Sequence, residues 1–375
     1  VGLDRGGHAL TGRRREYDED DVRIRPGRSS RPRTRIRPRH EGAEEGFVVA
    51  VDRGRYTIDI SGRPVTAMRA RELGRRGVVV GDRVALVGDV SGAPGSLARI
   101  VRIEERGSVL MRTADDDDTT PEGRVERVVV ANADQLVIVS ALADPPPRTG
   151  FIDRCLVAAY DAEIDPLLCL TKADLAGPQE VLDYYAELDL PYVLTRPDGD
   201  LGPLYERLAG LVSVMVGHSG VGKSTLVNRL VPDADRRVGL VSAIGKGRHT
   251  STSAVALPLP ARSGRTGRGG RTGRGSDGGV DGGVDGGVDG WIIDTPGIRS
   301  FGLAHVSAES LLHGFPDLVQ ASVNCPPNCD HTGSAGTCGL DALVAAGGAD
   351  PRRLASYRRL LASKEGAPAP GEEFQ

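Results

Sequence analysis

No run of apolar residues in this 375-residue chain approaches the roughly 20 needed to cross a bilayer. The first residues are polar and Arg-rich where a secretory leader needs an apolar stretch, so a cytoplasmic location is expected. Lysine is almost missing: there are four, against 44 arginines. That bias fits a GC-rich coding sequence and makes arginine abundance a weak sign of RNA binding. A formal net charge of -3 excludes a global polycation, so any basic surface must be local. Cysteine is scarce and odd in number, five in all, which argues against a disulfide framework. Two of the five, Cys155 and Cys169, fall in apolar segments as ordinary core residues.

What is present divides into stretches of different texture, as expected for a length that supports two or three domains. Residues 1–43 hold twelve Arg and no apolar period, which reads as a disordered basic arm, solvated or touching RNA. Over 44–108, five β-type runs (47–51, 56–60, 64–68, 82–87 and 97–103) predict an OB-type barrel. Residues 109–126, with the acidic run Asp115–Asp118, read as a solvated linker. From 127 to 304, strands at 135–140, 166–170, 191–195, 212–216 and 291–294 alternate with helices at 151–160 and 180–188, the pattern of a mostly parallel α/β sheet. A Gly-rich stretch at 262–290, ending in three GGVD repeats, reads as a flexible insertion at the tip of a hairpin formed by 254–259 and 291–294. A mostly helical metal-binding module is expected over 305–362, and a disordered tail over 363–375.

The strand at 212–216 runs into Gly217-His218-Ser219-Gly220-Val221-Gly222-Lys223-Ser224, a GxxxxGK[ST] loop, followed by a helix beginning near Lys223, with Thr225 a further nucleotide-binding candidate. Glycines let backbone N–H groups wrap a phosphate chain, Lys223 reaches the outer phosphates, and Ser224 binds Mg2+. Asp294-Thr295-Pro296-Gly297 closes the strand at 291–294, which puts the Asp294 carboxylate by the Mg2+ shell and the Gly297 amide by a γ-phosphate. Thr171-Lys172-Ala173-Asp174 follows the strand at 166–170 and resembles the NKxD element, in which the carboxylate reads guanine and the lysine stem lies over the base. Thr171 stands where Asn is usual, which leaves its tie to the phosphate loop open. Thr195, ending the next strand, is a further candidate for the base pocket. Lys172, Lys223 and Lys246 are three of the four lysines, and all sit in or beside these segments.

The order of the segments is base-reading element, phosphate loop, switch, which is not that of an ordinary GTPase and follows from cutting the usual sheet and rejoining its ends, a circular permutation. Residues 245–253 supply hydroxyls for the first switch, with Thr250 and Ser251 both open as Mg2+ ligands. Ile298 follows the DTPG, so the water-orienting Gln of other GTPases is missing and slow intrinsic hydrolysis is expected. His249 is the nearest polar residue able to orient water once a partner swings it in; its alternative is a surface histidine in a loop.

Cys325, Cys329, His331 and Cys338 offer three thiols and an imidazole within fourteen residues, a closed tetrahedral set suited to one structural Zn2+. Beyond it, Asp350-Pro351 can start a helix with Leu354, Tyr357 and Leu361 inward and Arg352, Arg353, Arg358 and Arg359 on a basic face, solvated or contacting RNA.

Over about residues 46–362 these motifs together resemble the RsgA (YjeQ) family of bacterial small-ribosomal-subunit assembly GTPases. The resemblance implies an OB barrel, a circularly permuted GTPase domain and a zinc module, with GTP and GDP as ligands and the small subunit and its rRNA as partner. It also implies that His249, in the GRHT stretch, is the catalytic histidine. The family's HTTT reads His249-Thr250-Ser251-Thr252 here, and its metal spacing is shifted by one residue in two gaps. The chain is read as a monomer with no membrane partner. A non-catalytic, nucleotide-dependent RNA-binding checkpoint is the alternative from another class; an ATPase and a large-subunit GTPase are the others.

Overall fold

The computed structural model describes residues 40, 42–73, 77–113, 126–232, 234, 254–261, 288–295, 306–333 and 338–365. Five strands close the first barrel. Strand β1 (Glu44–Asp52) pairs with β2 (Arg55–Ile60), which pairs with β3 (Arg63–Arg69); β4 (Arg83–Gly88) pairs with both β1 and β5 (Ala98–Ile103), and β5 runs parallel to β3. The circuit 1-2-3-5-4-1 therefore has no free edge. Inward positions carry Val48, Ile58, Val65, Val84, Leu86 and Ile100, all essentially buried. Each such side chain stabilises the barrel by about 1.5–3 kcal/mol.

The stretch expected to be a linker contains structure. Strand β6 (Val109–Thr113) forms a hairpin with β7 (Glu126–Ala131). The hairpin is fastened to the barrel: Asn132 Nδ2 donates to the Gly81 carbonyl (2.9 Å), and Arg106 grips the fully buried Asp82 through two bonds of 2.7 and 2.9 Å. Five residues of strand beside an acidic run give too short a pattern to separate from a solvated connection. Asp115–Asp118 lie outside the described residues.

The second sheet orders its strands β10-β9-β8-β11-β13-β12. Strands β8 (Gln135–Ala141), β9 (Asp165–Thr171), β10 (Tyr192–Leu194), β11 (Val212–Val216) and β13 (Val288–Asp294) are parallel, and β12 (Val255–Pro260) is antiparallel to β13. All seven residues of β8 are buried, and their alternation feeds two cores. Leu136 and Ile138 face α1 (Thr149–Asp161) and α2 (Gln179–Tyr184). Val137 and Val139 face α3 (Gly202–Leu208) and α4 (Lys223–Leu230).

β13 begins at Val288, three residues before the expected start and inside the last GGVD repeat. Gly290 has φ +122, and a Cβ there would lie 2.8 Å from the Leu211 carbonyl oxygen, so glycine suits a tight strand position as well as a repeat. Asp289 is tied in by the Tyr205 hydroxyl (3.1 Å).

Four helices follow: α5 (Ala308–His313), α6 (Pro316–Ser322), α7 (Gly339–Ala345) and α8 (Pro351–Glu365). Leu311, Phe315, Leu318, Leu354, Tyr357 and Leu361 join the same core cluster as α1. The basic face expected on α8 is corrected at one position. Arg353 is 2% exposed and lies between Asp153 and Asp317, so it faces the protein interior.

The barrel meets the second sheet where Ala50 of β1 pairs with Val255 of β12, beside the ring of Phe47 resting 4.9 Å from that of Trp291. Among the described residues no helix is long and apolar enough to cross a membrane.

Candidate nucleotide site and metal centre

The five parallel strands all end at one edge of the sheet, where α/β proteins place ligands. After β11 the chain turns through Gly217–Gly222 into α4. Gly220 and Gly222 have φ +81 and +91, and Gly222 is the residue before the helix. A Cβ on Gly217 would sit 2.7 Å from the Val139 carbonyl oxygen, so the loop can lie against β8 only with glycine there. Ser219 lies in this turn, and Ser224 and Thr225 follow Lys223 in the first turn of α4.

Register pairs Met215 with Asp294, so the phosphate loop and the switch carboxylate begin side by side. The Lys223 ammonium forms a direct ion pair with Asp294, with both side chains largely shielded. Thr295 is buried and donates its hydroxyl to the Met215 carbonyl (2.8 Å), pinning the start of the switch to the strand before the phosphate loop.

The base-reading element lies against the same loop. Thr171 is 4% exposed, and its hydroxyl donates to the carbonyl of Val221 at 2.6 Å. Lys172 takes φ +56, which turns the chain so that Asp174 is exposed beyond it. Ala173 N–H donates to the Thr195 carbonyl (3.1 Å), which ties the element to the end of β10. Thr195 is buried, so it supports this turn from behind.

The metal-ligand set is assembled. The donor atoms of Cys325, Cys329, His331 and Cys338 all lie within 4.8 Å of one another. Cys325 Sγ is 3.9 Å from Cys338 Sγ and 3.5 Å from His331 Nδ1, and Cys338 Sγ is 3.7 Å from His331 Nδ1. A tetrahedral zinc with ordinary bond lengths separates two sulfurs by about 3.8 Å and sulfur from nitrogen by about 3.6 Å, so Cys325, Cys338 and His331 are spaced for such an ion, with the Cys329 thiol within 4.8 Å of each as the fourth donor. The Gly339 amide donates to Cys325 Sγ at 3.2 Å, and Arg358 donates to the His331 carbonyl (2.9 Å) and to Asp341 (2.8 Å). These contacts orient the ligands from outside the set.

A sequence model of the family described as RsgA GTPase matches residues 103–266. The small ribosomal subunit biogenesis GTPase RsgA of Ectopseudomonas mendocina is 41% identical over 245 residues, which is 63% of this chain and 63% of that protein. The protein of the same name from Chlorobaculum parvum is 33% identical over 331 residues, covering 85% of this chain and 97% of its own length. This chain belongs to the RsgA family. In fold it is similar to the crystal structure of YjeQ from Thermotoga maritima, with a TM-score of 0.60 at 24% identity, covering 87% of this chain and 99% of that one. It is likewise similar to YloQ, described as a circularly permuted GTPase, with a TM-score of 0.58 at 20% identity, covering 88% of this chain and 97% of that one.

In this RsgA-family chain the structure adds residues that no motif announced. The loop after β8 lies over the phosphate loop: a Cβ on Gly220 would sit 3.6 Å from Pro145 Cδ, and the Lys172 ammonium donates to the Asp144 carbonyl. Phe151, in the first turn of α1, has its ring 4.2 Å from that of His218. The run Pro145–Pro147 directly after a buried strand was the available signal, since this is the sheet edge where ligands bind. Lys246, His249, Thr250, Ser251 and Gly297 lie outside the described residues.

Proposed function

We propose that this chain binds GTP with Mg2+ and hydrolyses it in late maturation of the small ribosomal subunit, and that hydrolysis on the subunit times its own release. The observation that carries the reading is the bond from Thr171 to Val221. It ties the element that would read the base to the loop that would hold the phosphates, as one guanine nucleotide requires.

In this reading Asp174 accepts hydrogen bonds from guanine and Lys172 covers the base, while Gly217, His218, Ser219, Gly220, Val221, Gly222 and Thr225 line the phosphates. Lys223 leaves Asp294 for the outer phosphates. Ser224 and Asp294, with Thr250 or Ser251, would hold Mg2+, which supplies positive charge where the phosphates need it. The Gly297 amide meets the γ-phosphate, and His249 orients the attacking water once the subunit moves it into place. Cys325, Cys329, His331 and Cys338 would hold one Zn2+ in a structural role, since all four positions are filled by protein. The barrel and the helical module carry the rRNA contacts, and the protein works as a monomer in the cytoplasm.

Phosphate release under multiple turnover, with and without purified small subunits, tests the timer. Strong stimulation is expected; equal rates would remove the timer and leave a nucleotide-dependent checkpoint. Competition by equimolar ATP tests the base reading, and GTP turnover is expected to persist.

A further inference from the structure

Helix α1 starts without a cap of its own. Arg148, just before it, makes no side-chain bond to the helix, and its first turn carries no acidic residue. Local sequence therefore does little to hold that turn in place. The holding comes from Asp153, which is 1% exposed. Its carboxylate pairs with Arg353 (3.2 Å) and accepts hydroxyl bonds from Tyr185 (3.0 Å) and Ser356. Arg353 also pairs with Asp317 (2.9 Å) and packs over the Phe315 ring at 4.6 Å. Tyr185, just after α2, reaches the Thr149 carbonyl as well (3.2 Å). One carboxylate thus joins α1 to α8 and the end of α2, and through Arg353 to α6.

The turn being held matters because of what it carries. Phe151, two residues before Asp153, rests against His218 of the phosphate loop, and the loop ahead of α1 lies beside Gly220 and accepts a hydrogen bond from Lys172. We propose that Arg353, contributed by the C-terminal helices, is a positioning residue for the nucleotide site: it fixes Asp153, and so keeps Phe151 against the phosphate loop. A buried charged trio is rarely better for stability alone than an apolar one of similar volume. What the planar guanidinium adds is a fixed register between α8 and α1. The inference rests on the nucleotide-site reading above.

Calorimetric affinities for GDP and a non-hydrolysable GTP analogue test it in the full-length chain. Arg353→Met strands two carboxylates, so it is paired with the neutral triple Asp153→Asn, Asp317→Asn, Arg353→Met, which keeps acceptors for Tyr185 and Ser356. Phe151→Leu removes the ring contact and leaves the trio untouched. Each variant is expected to bind both nucleotides about 5- to 10-fold more weakly. Bound metal stays at the wild-type level, and KM for GTP rises while kcat moves less than about twofold. Wild-type affinity in the folded triple, or in Phe151→Leu, overturns the proposal. A wild-type chain that binds neither nucleotide overturns the nucleotide-site reading itself.

Discussion

Thr171 donates its hydroxyl to the Val221 carbonyl across 2.6 Å, joining two loops 50 residues apart in the chain. Thr171→Val keeps the shape and deletes the donor, which leaves a shielded carbonyl unsatisfied at about 1–3 kcal/mol. Chemical denaturation should show that loss, with weaker GTP-analogue binding beside it. Thr171→Ser, which retains the hydroxyl, is expected to recover most of the binding. Equal affinity in the Val and Ser variants would mean that the bond has no part in shaping the site.

Two glycines give opposite expectations. A Cβ on Gly217 would meet the Val139 carbonyl oxygen at 2.7 Å and the Val221 side chain at 3.0 Å. Gly217→Ala should therefore shift the phosphate loop and lower hydrolysis about 10- to 100-fold. Gly177 has nothing within 4 Å of its Cβ position, and Gly177→Ala should stay within about 0.5 kcal/mol of the parent and keep full turnover.

The five thiols should separate by reactivity. Burial pushes Cys169 up to about 12 and raises Cys155 as well, so neither is a thiolate at neutral pH. After chelation of the native protein, alkylation at pH 8 read by mass spectrometry should mark Cys325, Cys329 and Cys338 and spare the other two until the chain unfolds. Before chelation the three should be protected. Equal labelling with and without chelator would count against a metal at this centre.

Asp350 accepts the Arg352 backbone N–H at 2.7 Å and so caps the start of α8. Hydrogen bonds from the Arg352 side chain and amide hold its carboxyl below the usual 3.8. A depressed folded-state value means that the stabilisation is complete above 3.8 and fades as pH falls through the lower folded value. Asp350→Ala should cost about 1 kcal/mol near pH 7. The gap to the parent should narrow in acid below pH 3.8; a gap independent of pH would place the loss elsewhere than the charged cap.

Much of this architecture was legible because its signals are local. The phosphate loop is one contiguous motif, and its glycines announce the backbone they need. The barrel strands alternate over five or more residues between turn signals, enough for period-2 reasoning. What escaped depends on partners far along the chain. Arg353 lies one turn before Tyr357 on the inward face, yet its charge reads as solvent-facing, and Asp153, 200 residues earlier, and Asp317 make its interior place tolerable. Val288–Gly290 carry the composition of a spacer repeat, and the rungs that make them strand come from the residues opposite. Thr171 could be flagged as a departure from NKxD, yet whether its shorter side chain still reaches the phosphate loop was a matter of ångströms.

Trp291 is the chain's one tryptophan, and it leans on Phe47 where the barrel meets the α/β sheet. The protein thus carries an intrinsic fluorophore at that seam, with no other indole to blur the signal. Any swing of the barrel away from β12 would separate the two rings and alter the emission, so the unlabelled protein would report such a movement in real time.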